Sequence, residues 1–315
     1  MNAKPLLRLG TRGSPLALAQ AEEVRRRLVA AHPDLAAEGA VATVVIKTTG
    51  DRIQDRALSE IGGKGLFTKE IEEALIAGEI DAAVHSMKDV PTWLPAGLVV
   101  EHLLPREDPR DAFFSPHGAC LADLPEGAVV GTASLRRQAQ VLARRPDLKM
   151  ATLRGNVATR LRKLAEGEVD ATLLAVAGLK RLGEAGKITA ALAPEEMLPA
   201  VGQGAIGLEI RTDDARTRSL LDAIACRDSG VRVAAERALL AQLDGSCKTP
   251  IAGLAEIEAG GMLRLRGLIA LPDGSRLHAA EITGPLADAE ALGRALGEQL
   301  QAVAGPAFLA AITAP

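Results

Sequence analysis

Hydrophobic positions follow two alternating spacings along the first two thirds of the chain. Short apolar or β-branched runs predict strands, and apolar residues three or four positions apart predict helices. Ser14-Pro15 marks one helix start, because Ser is favoured as the N-cap and Pro at the first helical position. The runs that predict strands are Leu6–Gly10, Ala40–Ile46, Ile80–Val84, Ala128–Gly131, Met150–Leu153 and Ala171–Ala175.

This alternation of strands and helices is typical of parallel sheets that are flanked by helices. A break at Pro105–Pro109 separates two such units along the chain. We therefore expect an α/β fold class with two lobes and a cleft between them.

The last third of the chain has a different pattern. Leu263, Leu265 and Ile269 alternate along one face of a predicted strand. Pro272-Asp273-Gly274 predicts a turn, and Arg276–Ile282 continues as a second strand, with a helical stretch after it. We therefore expect a small C-terminal α+β domain with an antiparallel sheet.

Composition argues against several classes of protein. The 315 residues carry a net charge of −3, which argues against a general nucleic-acid binder. No apolar run is long enough to span a bilayer, and the N-terminus lacks the apolar core of a signal peptide. The three cysteines, Cys120, Cys226 and Cys247, are not spaced as metal ligands are. A small, odd number of cysteines is typical of reduced thiols. We expect a cytoplasmic protein that binds no metal, membrane or nucleic acid.

Basic residues recur where predicted strands end and helices begin. They are Arg12, Lys88, the pair Arg136-Arg137, Arg154 and Arg160. The carboxyl ends of parallel strands meet at one edge of a sheet, where helix N-termini favour anions, and Arg adds bidentate hydrogen bonds to carboxylates. Each residue alone is compatible with a solvated surface charge, but their shared placement predicts a site for a polycarboxylate ligand.

Asp89 is an acidic residue in this basic neighbourhood, directly after Lys88. It is either a helix cap or ion partner of Lys88, or a carboxylate that stabilises a cation formed during a reaction and relays its proton. His85 follows an apolar strand, where a single histidine is more often a packed residue than a catalytic one.

Cys247 lies in a loop, because Gly245 and Pro250 flank it. The neighbouring Lys248 would lower the pKa of the Cys247 thiol. The thiol is therefore a nucleophile, a covalent tether or an incidental loop cysteine, and the residues alone do not decide between them.

Seven short sequence motifs occur one after another between Arg8 and Pro250. They are Thr11-Arg12-Gly13-Ser14-Pro15-Leu16-Ala17, Gly63-Lys64-Gly65-Leu66-Phe67, His85-Ser86-Met87-Lys88-Asp89-Val90-Pro91, Gly131-Thr132-Ala133-Ser134-Leu135-Arg136-Arg137-Gln138, Leu153-Arg154-Gly155-Asn156, Val201-Gly202-Gln203-Gly204 and Gly245-Ser246-Cys247. Together and in this order they resemble the porphobilinogen deaminase family (hydroxymethylbilane synthases).

The resemblance implies a fold of three domains. Two α/β lobes similar to those of type II periplasmic binding proteins would span 1–104 plus 204–221, and 110–198. A C-terminal α+β domain that carries the cofactor would span 227–315. A monomer is expected from the resemblance.

The resemblance also implies a transferase of tetrapyrrole and heme biosynthesis. Its cofactor would be dipyrromethane, joined to Cys247 through a thioether. Four porphobilinogen molecules would condense head to tail on it with loss of ammonia, and water would release hydroxymethylbilane.

Residue roles are carried over from the family motifs. Asp89 would be catalytic, contacting pyrrole N–H groups and stabilising the cation. Because the chain has no Tyr, aromatic shielding of the site would come from Phe67 or another Phe. The residues that would bind the cofactor are Cys247, Lys88, Asp89, Thr132, Ser134, Arg136, Arg137, Arg154 and Gly155. Those that would bind substrate are Arg12, Ser14, Arg154 and Arg160.

Two other functions fit part of the pattern. A two-lobed solute-binding or sensory module would account for the cleft and the arginines but gives Cys247 no role. A thiol-dependent acyl transferase would use Cys247 with His85.

Overall fold

The computed structural model describes residues 5–52, 67–245 and 249–313, so Cys247 lies outside the described residues. The strands are β1 (Leu7–Arg12), β2 (Val41–Ile46), β3 (Ala82–Ser86), β4 (Leu98–Leu103), β5 (Asp111–Phe114), β6 (Val129–Gly131), β7 (Lys149–Ala151), β8 (Ala171–Ala175), β9 (Ala190–Ala191), β10 (Ile206–Arg211), β11 (Ile251–Ile257), β12 (Met262–Ala270) and β13 (Leu277–Pro285). The α-helices are α1 (Pro15–Ala31), α2 (Thr49–Arg52), α3 (Lys69–Ile76), α4 (Leu135–Arg144), α5 (Val157–Ala165), α6 (Val176–Arg181), α7 (Ala215–Asp222), α8 (Arg227–Gln242), α9 (Ala289–Ala304) and α10 (Pro306–Thr313).

The first sheet has the strand order β2-β1-β3-β10-β4. Strand β1 runs parallel to β2 and β3, but β10 is antiparallel to both β3 and β4. The sheet that was expected to be parallel is therefore mixed. Its core packs Leu9 of β1 and Leu208 of β10 against Val24 and Leu28 of α1.

The second sheet has the strand order β7-β6-β8-β5-β9. Strand β6 is parallel to β7 and β8, whereas β5 is antiparallel to β8 and β9. Phe113, fully buried on β5, packs with Val130, Val141 and Leu173 in the core of this lobe. The two sheets thus share one arrangement, with a parallel part and an antiparallel strand inserted near the edge.

The third sheet, β11-β12-β13, is antiparallel throughout. Leu263, Leu265 and Ile269 point into the core, as their alternation predicts, and pack with Leu239 of α8 and Leu296 of α9. This confirms the expected fold class: two α/β lobes and a small C-terminal α+β domain.

By their contacts, the described residues form two compact units. The first contains residues 5–52, 67–107 and 205–230, and the second contains 108–204, 231–245 and 249–313. Inside the second unit, Ala139 of α4 and Leu198 pack with Ala252, Leu254 and Leu268 of the C-terminal sheet. None of the helices in the described ranges is long and apolar enough to cross a membrane.

Candidate active site

A small pocket, with a cavity volume of about 60 Å³, opens in the first unit where two neighbouring parallel strands end. Strand β1 leads through Arg12 to Ser14, and β3 leads through Ser86 to Asp89. The lining residues of the pocket are Arg12, Ser14, Leu16, Ala17, Gln20, Phe67, Thr68, Val84, His85, Ser86 and Asp89.

The start of α1 shapes one wall of this pocket. Ser14 is the N-cap, and its Oγ accepts a hydrogen bond from the Ala17 backbone N–H at 3.3 Å, with Pro15 at the first helical position. This use as an acceptor leaves the Ser14 hydroxyl hydrogen available as a donor. Gln20, one turn further on, donates to Ser86 Oγ at 2.8 Å and so links α1 to the end of β3.

Arg12 stacks on an aromatic ring. Its Cζ atom lies 4.0 Å from the centroid of the Phe67 ring, which also lines the pocket. A cation–π contact at this distance orients the guanidinium. Phe67 is thus an aromatic residue that lines this pocket.

Asp89 closes a single 3₁₀ turn, Met87–Asp89, directly after β3. Buried Met87 anchors the turn, because its N–H donates to the Ala205 carbonyl at 3.0 Å. Lys88 and Asp89 are both half-buried, and Asp89 lines the pocket whereas Lys88 is not among its lining residues.

His85 lies at the pocket wall, but its ring is engaged in the core. It is 5% exposed, and its Nε2 lies 2.9 Å from Oε2 of fully buried Glu209. Burial raises the pKa of the nearby Glu72 carboxyl. The structure therefore favours the packed interpretation of His85 over a catalytic one.

In the second unit, the loop after β6 carries Thr132 and Ser134. Thr132 is buried, and its Oγ1 accepts from the Ser134 N–H at 3.1 Å. Ser134 is in turn the N-cap of α4 and accepts from the Arg137 N–H. Both hydroxyls therefore fix the first turn of the helix that bears Arg136 and Arg137.

Arg136 and Arg137 are buried against a carboxylate that the sequence reasoning missed. Asp111 Oδ2 lies 2.8 Å from Nη2 of Arg136, and Asp111 Oδ1 lies 2.7 Å from Nη2 of Arg137. Burial would raise the pKa of Asp111, but the two guanidinium groups hold it well below its usual range. The sequence did contain a signal for this carboxylate: Asp111 directly precedes the apolar run Ala112-Phe113-Phe114. An Asp buried with such a strand needs a cationic partner.

Arg154 and Arg160 lie around the start of α5, after β7. Both are half-buried, and Arg160 Nε donates to the carbonyl of Gly155 at 2.8 Å. Gly155 has φ of +120°, and a Cβ there would meet Thr159 Cγ2 at 2.7 Å, so the loop requires glycine. Strands β6 and β7 are parallel neighbours, so Arg154 lies at the same sheet edge as Thr132 and Ser134.

Comparison with known proteins gives matches along most of the chain. A family model described as "Porphobilinogen deaminase, dipyromethane cofactor binding domain" matches residues 7–219, and the C-terminal domain of that family matches residues 231–302. The chain belongs to the porphobilinogen deaminase family. A porphobilinogen deaminase of Paracoccus denitrificans is 64% identical over 94% of this chain and 93% of its own length. A chloroplastic one of Oryza sativa is 56% identical over 96% of this chain and 85% of its own.

Family membership confirms the resemblance, the transferase activity and the dipyrromethane cofactor. The solute-binding module and the acyl transferase are therefore set aside. Among solved structures, a YaeC-family lipoprotein of Enterococcus faecalis is similar with a TM-score of 0.42 and 14% identity, covering 71% of this chain and 92% of that one. A Salmonella typhimurium periplasmic binding protein is similar with a TM-score of 0.38 and 14% identity, covering 70% and 92%.

The residues around α4 fit a cofactor that carries carboxylates. Arg136, Arg137 and Asp111 together hold two positive charges and one negative charge, an excess of one positive charge in a buried place. Among the described residues, buried Arg136 Nε has no hydrogen-bond partner. The N-terminus of α4 adds to the positive potential. This charge excess is what an anionic pyrrole side chain would neutralise.

Proposed function

We propose that this chain condenses porphobilinogen stepwise, with loss of ammonia, and releases hydroxymethylbilane. The observation that carries the assignment of residues is the pocket that joins Arg12 and Ser14 to Asp89. It places a cation, a hydroxyl and a carboxylate around one pocket. Family membership supplies the identity of the substrate.

Asp89 would act on the charge that appears when ammonia leaves. The C–N bond breaks, and the protonated amino group of the substrate leaves as neutral ammonia with the bonding electron pair, so a cationic methylene carbon remains on the substrate. A half-buried carboxylate stabilises such a cation more strongly than water does. Asp89 would also accept the proton lost when the new carbon–carbon bond restores the aromatic pyrrole.

The basic residues would bind carboxylates. Arg12 and Ser14 would hold the incoming substrate in the first unit. In the second unit, the cofactor-binding residues would be Thr132, Ser134, Arg136, Arg137, Arg154 and Gly155. Lys88 and Asp89 of the first unit are likewise proposed as cofactor-binding residues. Arg154 and Arg160 would bind the substrate's side chains. When bound through Cys247, dipyrromethane supplies the nucleophilic α-carbon on which the chain is extended.

We also propose the three-domain division 1–104 plus 204–221, 110–198 and 227–315. We further propose a cytoplasmic monomer without a nucleic-acid or membrane partner. The net charge of −3 supports the absence of a nucleic-acid partner.

The test is to supply porphobilinogen to the native protein and quantify ammonia and product. We expect ammonia and a linear tetrapyrrole in a ratio of four to one. Asp213→Asn is a matched control for Asp89→Asn, because Asp213 is an exposed carboxylate outside the pocket. Consumption of porphobilinogen without ammonia release would contradict the proposal, as would equal rates for the two variants.

A further inference from the structure

Asp111 divides its two oxygens between two consecutive arginines. Oδ2 is paired with Arg136, while Oδ1 accepts from Nη2 of Arg137 at 2.7 Å and from its Nε at 3.2 Å. Asp111 is fully buried at the start of β5. One carboxylate thus sets the positions of two guanidinium groups on the first turn of α4.

Backbone carbonyls hold the other side of each guanidinium. Nη1 of Arg136 donates to the Leu198 carbonyl at 2.8 Å, and Nη1 of Arg137 donates to the Leu173 carbonyl at 2.8 Å. Each guanidinium is therefore held at two points. Because these contacts restrict the side-chain rotamers, the orientation of both guanidinium groups depends on the position of the Asp111 carboxylate.

Gln203 holds Asp111. Its Nε2 donates to Asp111 Oδ1 at 2.9 Å and to the Pro109 carbonyl at 2.7 Å. Gln203 itself is buried, at 1% exposure. It therefore shares the oxygen that also receives Arg137, and it links that oxygen to the backbone just before β5.

The turn that presents Gln203 is fastened to the C-terminal domain. Buried Glu236 of α8 accepts from the Gly202 N–H at 2.7 Å with one oxygen and from the Ala255 N–H of β11 at 2.8 Å with the other. Gly202 and Gly204 have φ of +70° and +87°, conformations that favour glycine. The physical role of the Val201–Gly204 motif is therefore to fix the position of the Gln203 side chain.

We propose that Asp111 and Gln203 are positioning residues that hold the guanidinium groups of Arg136 and Arg137 in place for a carboxylate of the cofactor. This inference rests on the proposed function. Asp111 neutralises one of the two buried charges and leaves the other for the ligand. Gln203 keeps Asp111 from turning away without adding charge.

The test compares Gln203→Met with Gln301→Met. Methionine keeps the length of the side chain but removes the amide group, with both its donor and its acceptor. Gln301 is the matched control, because its Nε2 likewise donates to a backbone carbonyl, that of Gln242 at 2.6 Å, from helix α9. For each variant we would measure the fraction of chains that carry cofactor, by intact mass, together with kcat, KM and the thermal midpoint.

For Gln203→Met we expect the loaded fraction to fall by about half and KM for porphobilinogen to rise about fivefold, because a hydrogen bond to a charged group is lost. The thermal midpoint should also fall below that of Gln301→Met, because the buried Asp111 carboxylate loses a hydrogen bond. Equal cofactor content and KM in the two variants would overturn the inference. So would a lower thermal midpoint with unchanged KM and cofactor content, which is the signature of a structural role only.

Asp111→Asn gives a second measurement. It keeps the shape of the side chain but leaves two buried guanidinium groups without their carboxylate. We expect less loaded protein than for Gln203→Met, and normal loading would contradict the inference. Failure of the proposed function is a separate outcome, since the wild-type chain itself would then lack both cofactor and ammonia release.

Discussion

The pocket of the first unit and the basic cluster of the second have the same local architecture, but their charged side chains differ in burial and in pairing. In both, loops at the carboxyl ends of parallel strands carry the functional side chains. In the first, Arg12 and Asp89 are half-buried and line an open pocket. In the second, Arg136 and Arg137 are buried and paired with Asp111. The difference favours a site for a charge that forms transiently during reaction in the first unit, and a site for a permanently anionic ligand in the second.

Asp89→Asn should give the largest effect on activity and so test the first half of this comparison. Removing the charge while keeping the shape should lower kcat by about 10²- to 10³-fold, because the cation formed on loss of ammonia loses its counter-charge. The free energy of unfolding should change little, since Asp89 is only half-buried. Steady-state ammonia release and urea denaturation measure the two quantities. A near-normal kcat would refute the charge role.

Arg137→Ala should give the largest effect on stability. It leaves Asp111 buried with one partner fewer, and breaking a buried pair costs about 3–5 kcal/mol in the free energy of unfolding. Arg162→Ala is the matched control, because its pairing with Glu166 is exposed and worth at most about 1 kcal/mol. Urea denaturation of both variants gives the difference. Similar losses for the two would show that the buried cluster is not a fixed element.

Arg154→Ala sharpens the comparison from within the second unit. Arg154 is half-buried at the edge of the sheet, so its loss should affect ligand binding more than folding. We expect cofactor loading or the first condensation steps to slow by about tenfold, the effect of an unpaired carboxylate. Intact mass and single-turnover measurements detect this, and unchanged loading with normal turnover would contradict the assignment.

Phe67→Leu should give the smallest effect. The variant removes the ring on which the Arg12 guanidinium stacks at 4.0 Å. A partly exposed cation–π contact is worth about 0.5–1 kcal/mol, so KM should rise about threefold with kcat nearly unchanged. Steady-state kinetics decide, and a large fall in kcat would instead place Phe67 in the chemical step.

Much of the fold followed from local pattern. The predicted strand Ala171–Ala175 coincides with β8, and Ser14 caps α1 as expected. The antiparallel strands β5 and β10 escaped prediction, because strand direction depends on how the chain returns to the sheet and leaves no periodic signal. The sheets expected to be parallel are therefore parallel only in part.

The site shows the same division between local and long-range information. Local spacing placed Arg12 and Asp89 at strand ends, and the structure joins them in one pocket. Asp111 lies 26 residues from Arg137 along the chain, and Gln203 lies 92 residues from Asp111. These contacts could not be derived from spacing, because burial is a property of the packed lobe. Cys247 was predicted as the attachment point of the cofactor from the motif Gly245-Ser246-Cys247, and it lies outside the described residues.

The central claim is that a polycarboxylate cofactor is anchored to this chain through one thiol and neutralised by its arginines. Intact mass spectrometry of the native protein, followed by peptide mapping, tests it most directly. The account predicts a mass above that of the bare chain, localised to the peptide that contains Cys247 and lost in Cys247→Ala. A native, active protein with the mass of the bare chain would contradict it.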